Sequence, residues 1–254
     1  MIDIKKAKQE VNKYINKYDI DNDRIKTKVA HIGRVANMAR KIAENLNLEK
    51  EDIELAELIG LLHDIGRFEQ VRIYNTFVDR DSVNHGELGV KILFEDRLID
   101  KFVEDRQYDD IIKKSILNHN RSPKNIETSS ERELLHSKII RDADKIDILY
   151  ILTFGKKEIA WEKADLSNDT ISDEIYREFI EEKSIDYSKR QTSADILVSH
   201  FAYIYDINFK CSLKIIKENK YLEKIYNRFT FKDELTNKRI NKIYNIAKEH
   251  VEDL

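Results

Sequence analysis

Six glycines and a single proline, Pro123, punctuate 254 residues. Strands joined by tight turns consume residues that adopt positive φ or pre-set it, and a chain so poor in both has few places to reverse. Helices linked by short polar segments need fewer such residues. The scarcity predicts an all-α protein, a single-domain helical bundle over 1–254. Apolar residues recur at helical spacing along most of it. A first helix is expected over 3–18 and a second from about Thr27 to Asn45. A third runs through "EKEDIELAELIGLLHDIG", with Leu55, Leu58, Ile59 and Leu62 on one face. The mixed stretch "RFEQVRIYNTFVDRDSVN" reads as a loop. Helices then follow from His85 to about Phe94, from near Tyr108 to His119 and, the longest, from about Ser130 to Thr153. Further helices fill 157–252.

Charge narrows the partners. Lys and Arg number 45 against 48 Asp and Glu, a formal net charge of −3, so no bulk attraction draws the chain to nucleic acid. The lone Cys211 allows no intrachain disulfide, which points to a reducing compartment. The N-terminal "MIDIKKAKQEVNKY" lacks the apolar core of a secretory signal, and no apolar run approaches the roughly 18 residues that span a bilayer. The expectation is a soluble, cytoplasmic protein with neither a nucleic-acid nor a membrane partner.

Polar groups interrupt the apolar faces at particular places. His31 shares a helix face with Val35, Met38 and Ile42, and the adjacent His63 and Asp64 close the face of the third helix. His85 lies with Leu88 and Ile92, His119 with Ile112, Ser115 and Ile116, and Asp144 with Ile140, Ile148 and Ile151. Asp142 also falls near an apolar face, with Ile139, Ile146 and Leu149, so periodicity leaves the two aspartates open. A single histidine in such a place is more often a hydrogen-bonded core residue than a ligand. A carboxylate carried inward is different, because it costs several kcal/mol unless paired, protonated or bound to a cation. Together these groups suggest a metal site built from several helices in a bundle core. His136, His200 and His250 fall outside the pattern and read as structural or surface residues. The aromatic stretch "SHFAYIYDINF" reads as core.

The order His31, then His63-Asp64, then the aspartate of "RDADKID" resembles the HD-domain superfamily of metal-dependent phosphohydrolases. His85 in "NHGELG" and His119 in "LNHNR" resemble the additional histidines of its two-metal members. The likeness covers a metal-site core of about 27–152 and leaves a C-terminal helical extension, about 155–254, outside it. It implies a first metal held by His31, His63, Asp64 and Asp144. Asp64 would bridge to a second held by His85 and His119. Asp144 is preferred to Asp142 because the family aspartate follows an alanine and precedes a basic residue, as in "ADK". Asp142 or Asp147 would then orient a ligand histidine from outside. Imidazoles and carboxylates without thiolate suit one or two divalent transition-metal ions, Fe, Mn, Co, Ni or Zn.

The implied reaction is hydrolysis of a nucleotide or other small phosphate ester by a metal-activated water or hydroxide, with His63, Asp64 and Arg67 as catalytic residues. Guanidinium and ammonium groups near the ligands are candidates to hold phosphate oxygens: Arg67 first, then Arg34 and Arg121, and Lys145 last. A cyclic-dinucleotide phosphodiesterase of HD-GYP type is echoed by "HDIGR" and "HGELG". However, "NHNRSP" stands where that type carries paired histidines and a Gly-Tyr-Pro segment. Two other readings remain, a di-iron oxygenase of the same superfamily and a non-catalytic nucleotide-binding regulatory module.

Overall fold

All regular structure among the described residues, 2–156 and 165–252, is helical in this computed structural model. The helix expected from 157 onward therefore opens, over 157–164, outside the described residues. The chain divides into two compact units, 1–144 and 145–254. The first contains α1 (Ile4–Ile15), α2 (Asp23–Asn45), α3 (Lys50–Leu62), α4 (Ile65–Tyr74), α5 (His85–Val90) and α6 (Asp109–His119). It ends inside α7 (Glu131–Phe154).

Local chemistry explains most boundaries. Asn22 accepts a hydrogen bond from the Arg24 N–H, so α2 begins a turn earlier than its apolar stripe suggests. The four residues 46–49 join α2 to α3, short enough to lay the two helices side by side, and this is the most extensive packing in the unit. Their close approach passes through Gly60, where a Cβ would lie 2.6 Å from the Ala36 Cα.

The segment after His63-Asp64 differs from the expected loop, because Arg67 to Tyr74 continue α4. Its buried face is a narrow row, Ile65, Phe68 and Val71, diluted by Arg67, Glu69 and Arg72. Phe68 meets the rings of Tyr14 and Tyr18, with centroids 6.2 and 5.7 Å away. The helix stops at Asn75, whose φ of 52° is left-handed. The helix at His85 is α-helical only to Val90 and then loosens into a π-turn, Lys91–Glu95.

Gly66 lets α4 touch α5. A Cβ there would collide with the His85 carbonyl and lie 2.7 Å from the Gly89 nitrogen, both backbone atoms that cannot swing aside. Gly66→Ala is therefore expected to cost about 3 kcal/mol, read as a lowered urea midpoint at unchanged slope. An unchanged midpoint would mean that the two helices separate freely.

The start of α7 is tied to α3 by His136, whose Nε2 is 2.8 Å from Asp52 Oδ1. This bond, assisted by Arg132 and opposed by burial, lowers the Asp52 carboxyl to about 2. His136 is thus a buried structural residue. Arg141, also buried, donates to the carbonyls of Asn118 (2.5 Å) and Arg121 (2.7 Å), groups the end of α6 leaves without helical partners.

In the second unit the helix Glu234–Glu252 packs against Asp173–Ile180, Ser193–Phe201, Lys210–Glu218 and Tyr221–Tyr226. Its buried face is Ile240, Ile243, Ala247 and Val251. Phe201 and Ile204, from the aromatic stretch, are core. His200 is buried there, and burial with nearby Arg190 lowers its pKa to about 3. His250 packs its ring on Tyr205. No helix among the described residues is long and apolar enough to cross a membrane.

Candidate metal centre

The chain breaks between α3 and α4 at the residues that matter most. His63 ends α3 in helical conformation, and Asp64 (φ −107°, ψ 17°) leaves it before Ile65 starts the next helix. An aspartate at that position ordinarily accepts a hydrogen bond from the first turn of the helix it precedes, yet Asp64 makes none. Its carboxylate is turned inward and is 2% exposed. Oδ2 lies 3.4 Å from His31 Nε2 and 3.5 Å from His63 Nε2. Oδ1 lies 3.3 Å from His85 Nε2 and 3.8 Å from His119 Nε2. Each oxygen faces its own pair of imidazoles.

Asp144 joins the first pair, with Oδ1 3.1 Å from His31 Nε2 and 3.8 Å from His63 Nε2. Asp142 is fully buried on the same helix. Of the two aspartates that periodicity left open, Asp144 brings its carboxylate to the histidines.

Backbone and side-chain acceptors set the rings. His63 Nδ1 meets the Gly60 carbonyl at 2.8 Å, His119 Nδ1 the Ile116 carbonyl at 2.5 Å, and His85 Nδ1 the Asp79 carboxylate at 2.6 Å. A carbonyl or carboxylate in that place requires an N–H, which leaves a lone pair on each Nε2. Two of those lone pairs point at one another, Nε2 of His85 and His119 being 2.9 Å apart, while His63 Nε2 stands 3.3 Å from His31 Nε2. Facing lone pairs repel unless a proton or cation lies among them. Asp64 Oδ1, buried beside them, has no hydrogen-bond partner. The donor set therefore fits a bound cation at each pair.

Protonation favours the same conclusion. Burial first, then the neighbouring His85 and His63, hold His119 well below the ordinary imidazole value. Burial and Arg67 lower His85 against the pull of Asp79. Burial alone would raise the Asp64 carboxyl, but Lys28, His63 and the bond to His31 hold it well below the usual range. Asp144 is likewise held well below that range, the neighbouring His31 and His63 outweighing its burial. Neutral imidazole and ionised carboxylate are the forms that ligate metals. The rings form a continuous row, with centroids 5.3 Å apart for His31 and His63, 5.1 Å for His63 and His119, and 4.9 Å for His119 and His85.

The candidate phosphate-holding cations fare differently. Arg67 Nη1 donates to Gln70, to the Phe77 carbonyl and to Asp79, while its Nε stands 3.6 Å from Asp64 Oδ1. It is a strut for the 75–84 segment as much as a cation at the site. Arg34 is half-buried one turn beyond His31, and Arg121 pairs with Glu127 at 3.2 Å. Lys145 is buried in an ion pair with Asp206 at 2.9 Å. Asp142 and Asp147 are both buried on α7, but the outer nitrogens of His63, His85 and His119 are held by Gly60, Asp79 and Ile116 instead.

Three residues at the centre escape a reading of the sequence. Asp79 steadies His85, Arg141 fixes the end of α6 next to His119, and Lys28 places Nζ 2.5 Å from Asp64 Oδ2. Lys28 does leave a signal, since it stands three residues before His31 on the same face. Asp79 sits in a segment without helical period, where spacing carries no information.

Residues 29–149 match the family model described as HD domain. Over those residues the chain is similar to an HD domain. No curated protein and no solved structure matches the chain. HD domains bind divalent metals and are typical of metal-dependent phosphohydrolases. Within the matched residues, atoms able to ligate a metal from His31, His63 and Asp64, and from Asp64, His85 and His119, each lie within 4.8 Å of one another.

Proposed function

We propose that this HD domain is a two-metal phosphohydrolase acting on a nucleotide or another small phosphate ester. The observation that carries the reading is the Asp64 carboxylate, with each oxygen facing a separate imidazole pair. His31, His63, Asp64 and Asp144 would hold one ion, and Asp64, His85 and His119 the other. Fe, Mn, Co, Ni and Zn suit this donor set. Such ions, when bound, supply Lewis acidity that activates water for attack at phosphorus and offsets charge on the phosphoryl oxygens.

The chain's own part is to hold the donors still. The Gly60 and Ile116 carbonyls and the Asp79 carboxylate fix three ring planes, so little freedom is lost when a ligand arrives. Arg67 keeps the 75–84 segment against α4. Arg34 and Arg121 are the cations we assign to substrate phosphate oxygens. Lys145, committed to Asp206, is left out of that role.

The test is elemental mass spectrometry on protein purified without chelator, followed by phosphate release assayed with Mn2+ or Co2+ with and without oxygen. About two transition-metal ions per chain and oxygen-independent phosphate release are expected. Iron with oxygen uptake and no phosphate release would replace the hydrolase with an oxygenase. Failure to take up any metal would leave a binding module.

A further inference from the structure

Lys28 is the single full positive charge in hydrogen-bond contact with Asp64 among the described residues, and it sits on the oxygen that also faces His31 and His63. Its side chain is mostly buried, 18% exposed. The next cation, Arg67, stands farther off on the other oxygen. A divalent ion at the His31, His63 and Asp144 group would need the same Oδ2, and two cations cannot share one oxygen at that range without strong repulsion.

We propose that Lys28 is a displaceable internal counter-cation. In metal-free protein its ammonium neutralises the bridging carboxylate, and a divalent ion entering the first position drives it off. This rests on the two-metal reading and adds to it a regulation, metal loading against a competitor carried by the protein.

The structure offers the displaced ammonium a place to go. Lys28 Nζ already lies 5.4 Å from the centre of the Phe77 ring, a face that attracts cations. Arg67 Nη1 holds the Phe77 carbonyl at 2.6 Å and so keeps the ring beside the site. A swing of the flexible lysine stem exchanges a carboxylate for an aromatic face without moving the backbone. The two metal positions are unequal in this respect: Oδ1, facing His85 and His119, has no ammonium on it. Lys28 burdens one position and largely spares the other.

The experiment titrates Co2+ into the chelator-stripped full chain, comparing wild type with Lys28→Met, which keeps the stem and removes the charge, and Lys28→Arg, which keeps the charge. One of the two Co2+ affinities should tighten by about tenfold or more in Lys28→Met, while the other moves far less. Lys28→Arg should remain near wild type. Metal-free Lys28→Met should melt below metal-free wild type, and the difference should vanish at saturating Co2+. Equal or weaker Co2+ binding by Lys28→Met, with wild type loading normally, would overturn the role of Lys28 and leave the metal centre standing. A wild type that takes up no Co2+ would bring down both. Should metal-free Lys28→Met not fold, the rate of Co2+ loss to excess chelator from loaded protein decides instead: slower release than wild type supports the displacement, and equal or faster release overturns it.

Discussion

Asp64→Asn is expected to purify without either metal and to lose phosphate-releasing turnover by at least about a thousandfold. The substitution keeps the shape of the side chain and removes the one group that both imidazole pairs share. A neutral amide offers a single weak oxygen donor, and its NH2 would meet lone pairs on one side or the other. Neither pair then has its carboxylate. The helices should persist, because α3 and α4 are held by Leu55, Leu58, Phe68 and Val71 rather than by Asp64. Far-UV circular dichroism should therefore change little while elemental analysis falls to background. A variant that retained both ions would show that Asp64 does not bridge them.

Asp79→Ala should weaken the second metal by about 10- to 100-fold and leave the first nearly unchanged. Asp79 accepts from His85 Nδ1, from Arg67 Nη1 and from Gln70 Nε2, so one truncation frees a ligand ring and unfastens the 75–84 segment. Burial alone would raise its carboxyl, but the His85 bond and the Arg67 charge hold it well below the ordinary range. Since this group is depressed in the folded protein, the stability it contributes is fully present above the usual carboxylate range. It is lost progressively as pH falls from there through the depressed value. A two-step metal titration reads the effect of the truncation directly. If both steps keep their wild-type affinities, Asp79 merely anchors a loop.

The contrast between Asp79 and the histidines marks what the sequence could convey. His31, His85 and His119 interrupt apolar stripes, so period and polarity together betray them from the sequence alone. Asp79 interrupts nothing, being in an aperiodic segment whose position depends on contacts made by α4. The helix α4 itself is hard to read for a related reason. A buried row of Ile65, Phe68 and Val71 is too thin to dominate a window crowded with Arg67, Glu69 and Arg72. Periodicity cannot choose between Asp142 and Asp144 even though the two stand about 200° apart on a helix. Because α7 buries residues all round at that point, opposite faces look alike in sequence. The resemblance of "ADK" to a family pattern distinguishes them where periodicity does not.

The row of imidazole rings makes the centre one object in any programme of substitution. His63 and His119 belong to different ligand groups yet touch each other in the middle of the row, 5.1 Å between centroids. Removing either leaves a void against the other, so the free energies of changes in the middle will not sum as those of independent sites would. His31 and His85 stand at the two ends, and within the row each touches only its own partner. The ends share Asp64 directly and otherwise meet through the two middle rings, so a double change at the ends reads the coupling between the two halves without opening a void in the middle of the row.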